Sequence, residues 1–285
     1  MEIEKICSKA RQLALDGYGD AIEKSFHAAY EAGQAIKELY GKPHDVQFKG
    51  EIDLVTEADY KSEAILTSAL EGLGGAELMA EESTHDLTKR EGRFWIVDPL
   101  DGTTNFAHGF PFFAPSVAFA QIDEKGYETL FGAVYVPLLG EFFWAIKGKG
   151  AYLNLDEIGV SKERELSRSL LATGFPYDVH QHPDDVMAAM KSMIVRAQGI
   201  RRAGAAAIDL VYVACGRFEG FWEKKLKPWD TAAGILVVTE AGGKVSDYKG
   251  GTYNPFVPEI VASNGLIHEQ MTDILGNFSC QPTNT

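Results

Sequence analysis

The sequence predicts a layered α/β protein in two halves, an α+β half with a largely antiparallel sheet followed by a half in which strands and helices alternate. Three observations point there. Residues 116–153 contain SVAFAQ, TLFGAVYVP, GEFFWAIKG and GAYL, apolar and aromatic runs punctuated by Gly and Pro, as in consecutive hairpin-linked strands. Residues 170–265 instead alternate short apolar runs with helical periods. No repeat, low-complexity tract or Pro/Ser-rich linker interrupts the chain.

Taken in order, residues 1–41 read as largely helical, with Phe26, Ala29, Tyr30, Gly33 and Ile36 at helical spacing. A helix is predicted from after Thr56 to about Leu70, with Ala64, Ile65 and Leu66 on its inner side. Residues 77–80 and 94–97 read as short strands, each ending in acid. LLATGFPYD (170–178) reads as a strand running into a loop, 183–197 and 205–215 as helices, and RFEGFWE as a strand. WDTAAGILVVTEA (229–241) is a helix closed by Gly242-Gly243, and EIVASNG is a last strand before a short helix. The expected division is 1–155 and 156–285, two lobes in tight contact because no flexible linker marks the boundary.

Composition narrows the function. The chain has 285 residues, with 27 Lys plus Arg against 41 Asp plus Glu and a formal charge of −14. That balance opposes broad nucleic-acid binding, which needs a basic face to displace counterions. It suits a site that holds a cation among clustered acids. Cys7, Cys215 and Cys280 form no CxxC, so neither a disulfide framework nor a zinc knuckle is expected, and a cytoplasmic location fits. The N-terminus is charged from its second residue, so no signal peptide is read, and no apolar run reaches membrane-spanning length. The sequon Asn277-Phe278-Ser279 carries no weight without a secretory signal.

The chemistry concentrates in WIVDPLDGTTNF (95–106). Pro99 fixes φ and removes an N–H, so it is expected to end the strand and set a turn. Asp98, Asp101 and the Leu100 carbonyl can then face one point, while Gly102 and Thr103 offer amides if they open a helix. Acids and free amides together suit a divalent metal bridging to a phosphate. A capping role accounts for one Asp and leaves the other unexplained. Further acids stand at strand ends or helix starts: Glu81-Glu82 after AELMA, Asp230 in the first turn of WDTAAGILVV, and Asp59 three positions after Thr56. Oxygen ligands without His or Cys favour Mg²⁺ over zinc. Close unshielded carboxylates repel by ~4 kcal/mol per pair at an effective dielectric near 20, so at least one should titrate high.

These segments resemble the inositol monophosphatase family, Mg²⁺-dependent and lithium-sensitive phosphatases, over essentially the whole chain. The resemblance is carried by WIVDPLDGTTNFAHGFPFF (95–113) and KPWDTAAGILVVTEAGGKVSD (227–247), supported by DLVTEAD (53–59), AEES (80–83), LLATGFPY (170–177) and GFWE (220–223). It implies an αβαβα five-layer sandwich of the sugar-phosphatase type, a homodimer, and two or three Mg²⁺ ions per site. It also implies ligand sets: Glu81, Asp98 and the Leu100 carbonyl for one ion, and Asp98, Asp101 and Asp230 for a second. Gly102 and Thr103 would bind phosphate. Thr103, bonded to Asp59, and Glu81 would position and deprotonate the attacking water. Glu223 and the backbone around Gly204, Ala205 and Ala206 would recognise the alcohol. The family commonly reads Gly-Thr/Ser-Ala where this chain has Gly204-Ala205-Ala206, so one hydroxyl contact is missing. The wording is that of a prokaryotic member.

The expected substrate is a small phosphorylated polyol, inositol monophosphate first. Fructose-1,6-bisphosphate, 3′-phosphoadenosine-5′-phosphate and histidinol phosphate are alternatives served by the same machinery. A partner-binding role in transcription or RNA metabolism is the non-enzymatic alternative. His180 and His182 read as surface, and His108 as supporting the site's ligands from behind or packing near them rather than as a general acid. Arg201, Arg202, Lys224, Lys225 and Lys227 either ring the pocket or are solvated surface charge. No Walker loop or Gly-x-Ser-x-Gly elbow is present.

Overall fold

A computed structural model describes residues 2–42, 46–48, 54–84, 91–181 and 183–279; Asp53, His182 and Cys280 lie outside them. The first half runs α1 (Ile3–Leu13), α2 (Gly19–Leu39), β1 (Val46–Phe48), β2 (Leu54–Thr56), α3 (Glu57–Leu70), β3 (Glu77–Ala80) and β4 (Gly92–Asp101). It continues through α4 (Thr103–Ala107), β5 (Ala114–Asp123), β6 (Gly126–Val136), β7 (Glu141–Ile146), β8 (Ala151–Leu153) and β9 (Asp156–Ile158). The second half holds β10 (Leu170–Thr173), α5 (Pro183–Ile194), β11 (Gly199–Arg201), α6 (Ala206–Ala214) and β12 (Gly220–Lys224). It closes with α7 (Pro228–Glu240), β13 (Lys244–Ser246), β14 (Glu259–Ser263) and α8 (His268–Leu275).

Two sheets carry the architecture. One has the order β3-β4-β5-β6-β7-β8-β9, antiparallel except for the β3–β4 pair. The other runs β11-β10-β12-β14-β13, with β10 parallel to both its neighbours. Alternation along the strands builds the layers. In β4, Trp95 and Val97 enter a core shared with α1, α2 and α3, while Phe94 and Ile96 enter one shared with α6 and α7. The far face of the second sheet packs Trp222 and Val261 against α5 and α8. The result is the expected αβαβα sandwich. Helix α7 lies between the sheets, and Trp229, Ala232, Ala233, Leu236, Val237 and Val238 are all buried, as an inner helix requires. On the outer core, Trp95 meets Phe119 edge-on at 4.8 Å and Phe119 stacks on Phe131 at 5.0 Å.

Three readings need correction. In α3 the inner face is Ala58, Ser62, Leu66 and Leu70; Ala64 is exposed and Ile65 half-buried. Three consecutive residues cannot share one face of a helix, because each step turns about 100°. Strand β4 does not stop at Pro99 but continues to Asp101, with a register shift against β5 between Asp98 and Asp101. A bulge tolerates the missing proline donor that a regular ladder would not. Helix α5 ends at Ile194 rather than 197, where Arg196 and Ala197 N–H groups turn back to the Met193 carbonyl before β11.

The second sheet holds a buried histidine. Ser246 Oγ and Ser263 Oγ lie 2.8 Å from His268 Nε2 and Nδ1, and burial, then Lys244, lowers its pKa to about 4 from 6.5. A depressed folded pKa on a base means the unfolded chain binds the extra proton between those values. The stabilisation is therefore full above pH 6.5 and is lost as pH falls toward 4. Chemical unfolding should show about 2 kcal/mol less stability at pH 5 than at pH 7 from this group. His268→Gln should flatten that slope; an unchanged slope would rule the account out.

Candidate active site

The site starts at the end of β4, next to the edge strand β3 of the larger sheet. Ser62 Oγ donates to the Pro99 carbonyl at 2.6 Å, and the Leu100 N–H donates to Asp98 Oδ1 at 2.9 Å, fixing the turn from α3 and from within. Gly102 follows with φ +90°, ψ +34° and caps α4, which opens at Thr103. A Cβ at Gly102 would stand 2.8 Å from the Phe112 carbonyl oxygen, so the turn needs glycine for both its dihedral and its space.

Asp59 joins from the start of α3. Its Oδ2 accepts the Thr56 N–H at 2.8 Å and the Thr56 hydroxyl at 2.7 Å, the capping arrangement its spacing suggested. Its Oδ1 lies 2.9 Å from Thr103 Oγ1, which is also 2.9 Å from the Leu100 carbonyl. Capping and contact with Thr103 are thus carried by one side chain. Residues 203–207 meet this turn. Ala207 N–H donates to Asp101 Oδ2 at 2.7 Å, and Asn105 Nδ2 reaches the Phe112, Ala203 and Gly204 carbonyls at 2.7, 2.8 and 3.2 Å. Asp230 enters in the first turn of α7, its Oδ2 accepting the Lys227 N–H at 2.6 Å.

A cavity of about 190 Å³ is lined by Asp101, Gly102, Thr103, Gly204, Ala205, Ala206, Glu223 and Asp230 among others. Asp59, Asp98 and Leu100 are buried. Glu81 follows β3, hydrogen-bonded through its N–H to the Val97 carbonyl at 3.3 Å. Asp59, Glu81, Asp98 and Leu100 are not among the residues that line the cavity. Burial, then Glu81, Asp101 and Asp230, hold the Asp98 carboxyl well above its ordinary value. Burial pushes Asp101 up to about 7, with the Ala207 amide as the largest opposing effect. The expectation that an acid titrates high holds for both.

The donors are all oxygens, and mutual repulsion raises two of them, so they fit a hard divalent cation. Among the described residues no three acidic, His or Cys side chains have converged into a metal-holding group. The carboxylates of Asp98, Asp101 and Asp230 are turned instead onto backbone N–H groups.

Of the remaining candidates, Arg202, Lys224, Lys225 and Lys227 line the cavity, and Arg202 lies over the Phe175 ring at 5.0 Å. Arg201 and His180 are exposed. His108 is exposed at the end of α4, which corrects the packing role expected for it. Three residues carry no signal in their own neighbourhood. Gly174 is one: a Cβ there would fall 2.1 Å from Glu223 Oε2. Ser62 and Asp209 are the others, both polar residues on helices that face the core. Gly174→Ala should displace the Glu223 carboxylate and raise KM for a polyol phosphate by about tenfold while kcat changes little. Steady-state kinetics with a polyol phosphate would check this; a wild-type KM would contradict it.

The model of the inositol monophosphatase family matches residues 20–278. The chain is 40% identical over 256 residues to the inositol-1-monophosphatase of Synechocystis, covering 89% of this chain and 88% of that protein. It is also 40% identical over 243 residues to the Nus factor SuhB of Vibrio cholerae, covering 84% and 90% of the two. The crystal structure of the extragenic suppressor protein suhB from Bartonella henselae superposes with a TM-score of 0.82 at 38% identity, over 90% of this chain and 98% of that one. With a family match over residues 20–278 and relatives at this identity, the chain belongs to the inositol monophosphatase family, a family of phosphatases.

Proposed function

We propose that the protein is a Mg²⁺-dependent phosphomonoesterase that hydrolyses inositol monophosphate to inositol and phosphate, acting in the cytoplasm as a homodimer. One observation carries the reading. The turn from Asp98 to Thr103 puts the Asp101 carboxylate and the start of α4 into the wall of a cavity that Glu223 and Asp230 also line, with Asp98 and Leu100 buried. Glu81, Asp98 and the Leu100 carbonyl would hold one Mg²⁺, and Asp98, Asp101 and Asp230 another. Bound there, the ions supply a water of lowered pKa and charge neutralisation for the leaving oxygen.

The chain's own groups do the rest. The Gly102 and Thr103 amides hold the phosphate at the start of α4. The Thr103 hydroxyl, held by Asp59, aims the attacking water, and Glu81 takes its proton. The backbone around Gly204, Ala205 and Ala206 seats the alcohol, and Glu223 accepts its hydroxyls. This is positioning and electrostatics, which is what phosphoryl transfer mostly asks of a protein.

Phosphate release measured with and without Mg²⁺ across inositol 1-phosphate, fructose 1,6-bisphosphate, 3′-phosphoadenosine 5′-phosphate and histidinol phosphate tests the reading. A preference for inositol 1-phosphate is expected, and its absence retires that substrate. The name Nus factor on a relative supports a second reading, a partner-binding role in transcription. Asp101→Asn separates the two: phosphate release should fall by orders of magnitude, and a cellular phenotype that survives the loss makes binding the primary role.

A further inference from the structure

Helix α3 touches the site at more than one place. Asp59 Oδ1 lies 2.9 Å from Thr103 Oγ1, and Ser62 Oγ donates to the Pro99 carbonyl at 2.6 Å. One residue on, Glu63 Oε2 accepts the Glu82 N–H at 3.0 Å. Residues three and four apart share a helix face, so Asp59, Ser62 and Glu63 reach out from the same face of α3. The first two contacts secure the turn from Asp98 to Thr103. The third secures a different piece of chain, the turn that leaves β3 and carries Glu81.

The ends of that turn close on each other, since the Ala80 N–H donates to Thr84 Oγ1 and the Thr84 N–H to the Ala80 carbonyl, both at 2.9 Å. Within it, the direction of the Glu81 side chain depends on the two rigid peptide planes that flank its Cα. The Glu81 N–H, donating to the Val97 carbonyl, anchors the first plane on β4. The Glu82 N–H belongs to the second plane, and Glu63 anchors that one on α3. The direction matters because the Glu81 carboxylate acts on both Asp98 and Asp101.

We propose that Glu63 is a positioning residue: by holding the Glu82 N–H it aims Glu81 at Asp98, and it makes α3 the one rigid body on which both acid-bearing turns are registered. The proposal rests on the phosphomonoesterase reading, in which Glu81 holds Mg²⁺ and takes a proton from water. Groups with such roles must be held to within about 0.5 Å of their working geometry, by neighbours that do not touch the reacting atoms themselves. Removing a partner of this kind commonly weakens metal binding by about 10- to 100-fold.

The test compares Glu63→Ala, Glu63→Asp and Glu63→Gln with the wild-type protein. Two quantities are read: Mg²⁺ binding to the metal-free protein by calorimetry, and hydrogen exchange of the Glu82 amide by NMR. Aspartate keeps the acid but is one methylene shorter, which draws the acceptor back from the amide. Glutamine keeps the length and a carbonyl acceptor. Alanine and aspartate should each weaken Mg²⁺ binding by about tenfold and speed exchange at Glu82. Glutamine should match the wild type in both. Aspartate behaving as the wild type, or glutamine behaving as aspartate, would overturn the proposal.

A thermal melt accompanies each variant, and if alanine does not melt cooperatively the aspartate and glutamine pair decides. Glu81→Gln separates the proposal from the reading beneath it. If that variant binds Mg²⁺ as the wild type does, Glu81 is no ligand and the ligand set of the parent reading fails. If it binds more weakly, adding Glu63→Asp should cost nothing further, because a positioning residue acts only through the group it positions. A second, additive loss in the double variant overturns the proposal and leaves the parent reading standing.

Discussion

Asp98→Asn should abolish phosphate release and at the same time make the metal-free protein harder to unfold. Asp98 is buried, and Glu81, Asp101 and Asp230 all oppose its charge. Asparagine keeps the acceptor that the Leu100 N–H needs and removes the charge. Without Mg²⁺ a stabilisation of about 1–2 kcal/mol is expected, the scale usual when a strained functional group is relieved. The sign with pH follows from the raised carboxyl. A folded pKa above the unfolded value binds a proton that the unfolded chain releases, so the wild type loses stability as pH climbs above the ordinary carboxylate range. The variant should therefore gain more at pH 8 than at pH 5. Catalysis should fall by about 10³-fold or more, because the charge shared by both proposed ion sites is gone. Chemical unfolding with EDTA and with Mg²⁺ checks both halves. If Mg²⁺ stabilises the wild type and the variant equally, Asp98 is not a ligand.

Gly102→Ala should cost both stability and activity. The left-handed backbone alone penalises a Cβ by about 1–2 kcal/mol. The new carbon would also press on the Phe112 carbonyl at 2.8 Å and the Ala205 methyl at 3.3 Å, neither of which is the free end of a flexible chain. The start of α4 would shift, carrying Thr103 away from Asp59. A loss of about 100-fold in kcat/KM is expected, since misplacement of about 1 Å is enough for that. Gly109→Ala is the control: φ is +69° there too, but a Cβ would meet nothing within 4 Å. It should lower the melting temperature slightly and leave turnover alone. Equal turnover in the two variants would mean that the Gly102 turn does not position the reacting groups.

How much of this was legible depends on the distance in sequence over which each feature acts. The turn at 98–103 could be read because Pro99, Gly102 and the two acids constrain one another through a few bonds. The Thr56–Asp59 cap was legible for the same reason, and the structure adds its second contact, to Thr103. The bulge in β4 was not, since whether a proline ends a strand depends on the partner strand, and β5 follows it through the shift to Ala114. Asp209 and Gly174 were missed because their meaning lies in neighbours that fold beside them, Glu223 above all. The short strands β1, β2, β9, β11 and β13 have three residues each, too few for alternation to register.

The sequence by itself determined the layered fold class and the turn that carries Asp98 and Asp101, because periodicity and local sterics act along the chain. Tertiary structure alone decided which acids share a field. The parallel pairing of β3 with β4 delivers Glu81, the burial of α7 between the sheets delivers Asp230, and the first turn of α6 supplies the amide that holds Asp101. The last two contacts join groups more than a hundred residues apart, and Glu81 meets Asp98 only through the register of β3 on β4, so no local pattern encodes these distances.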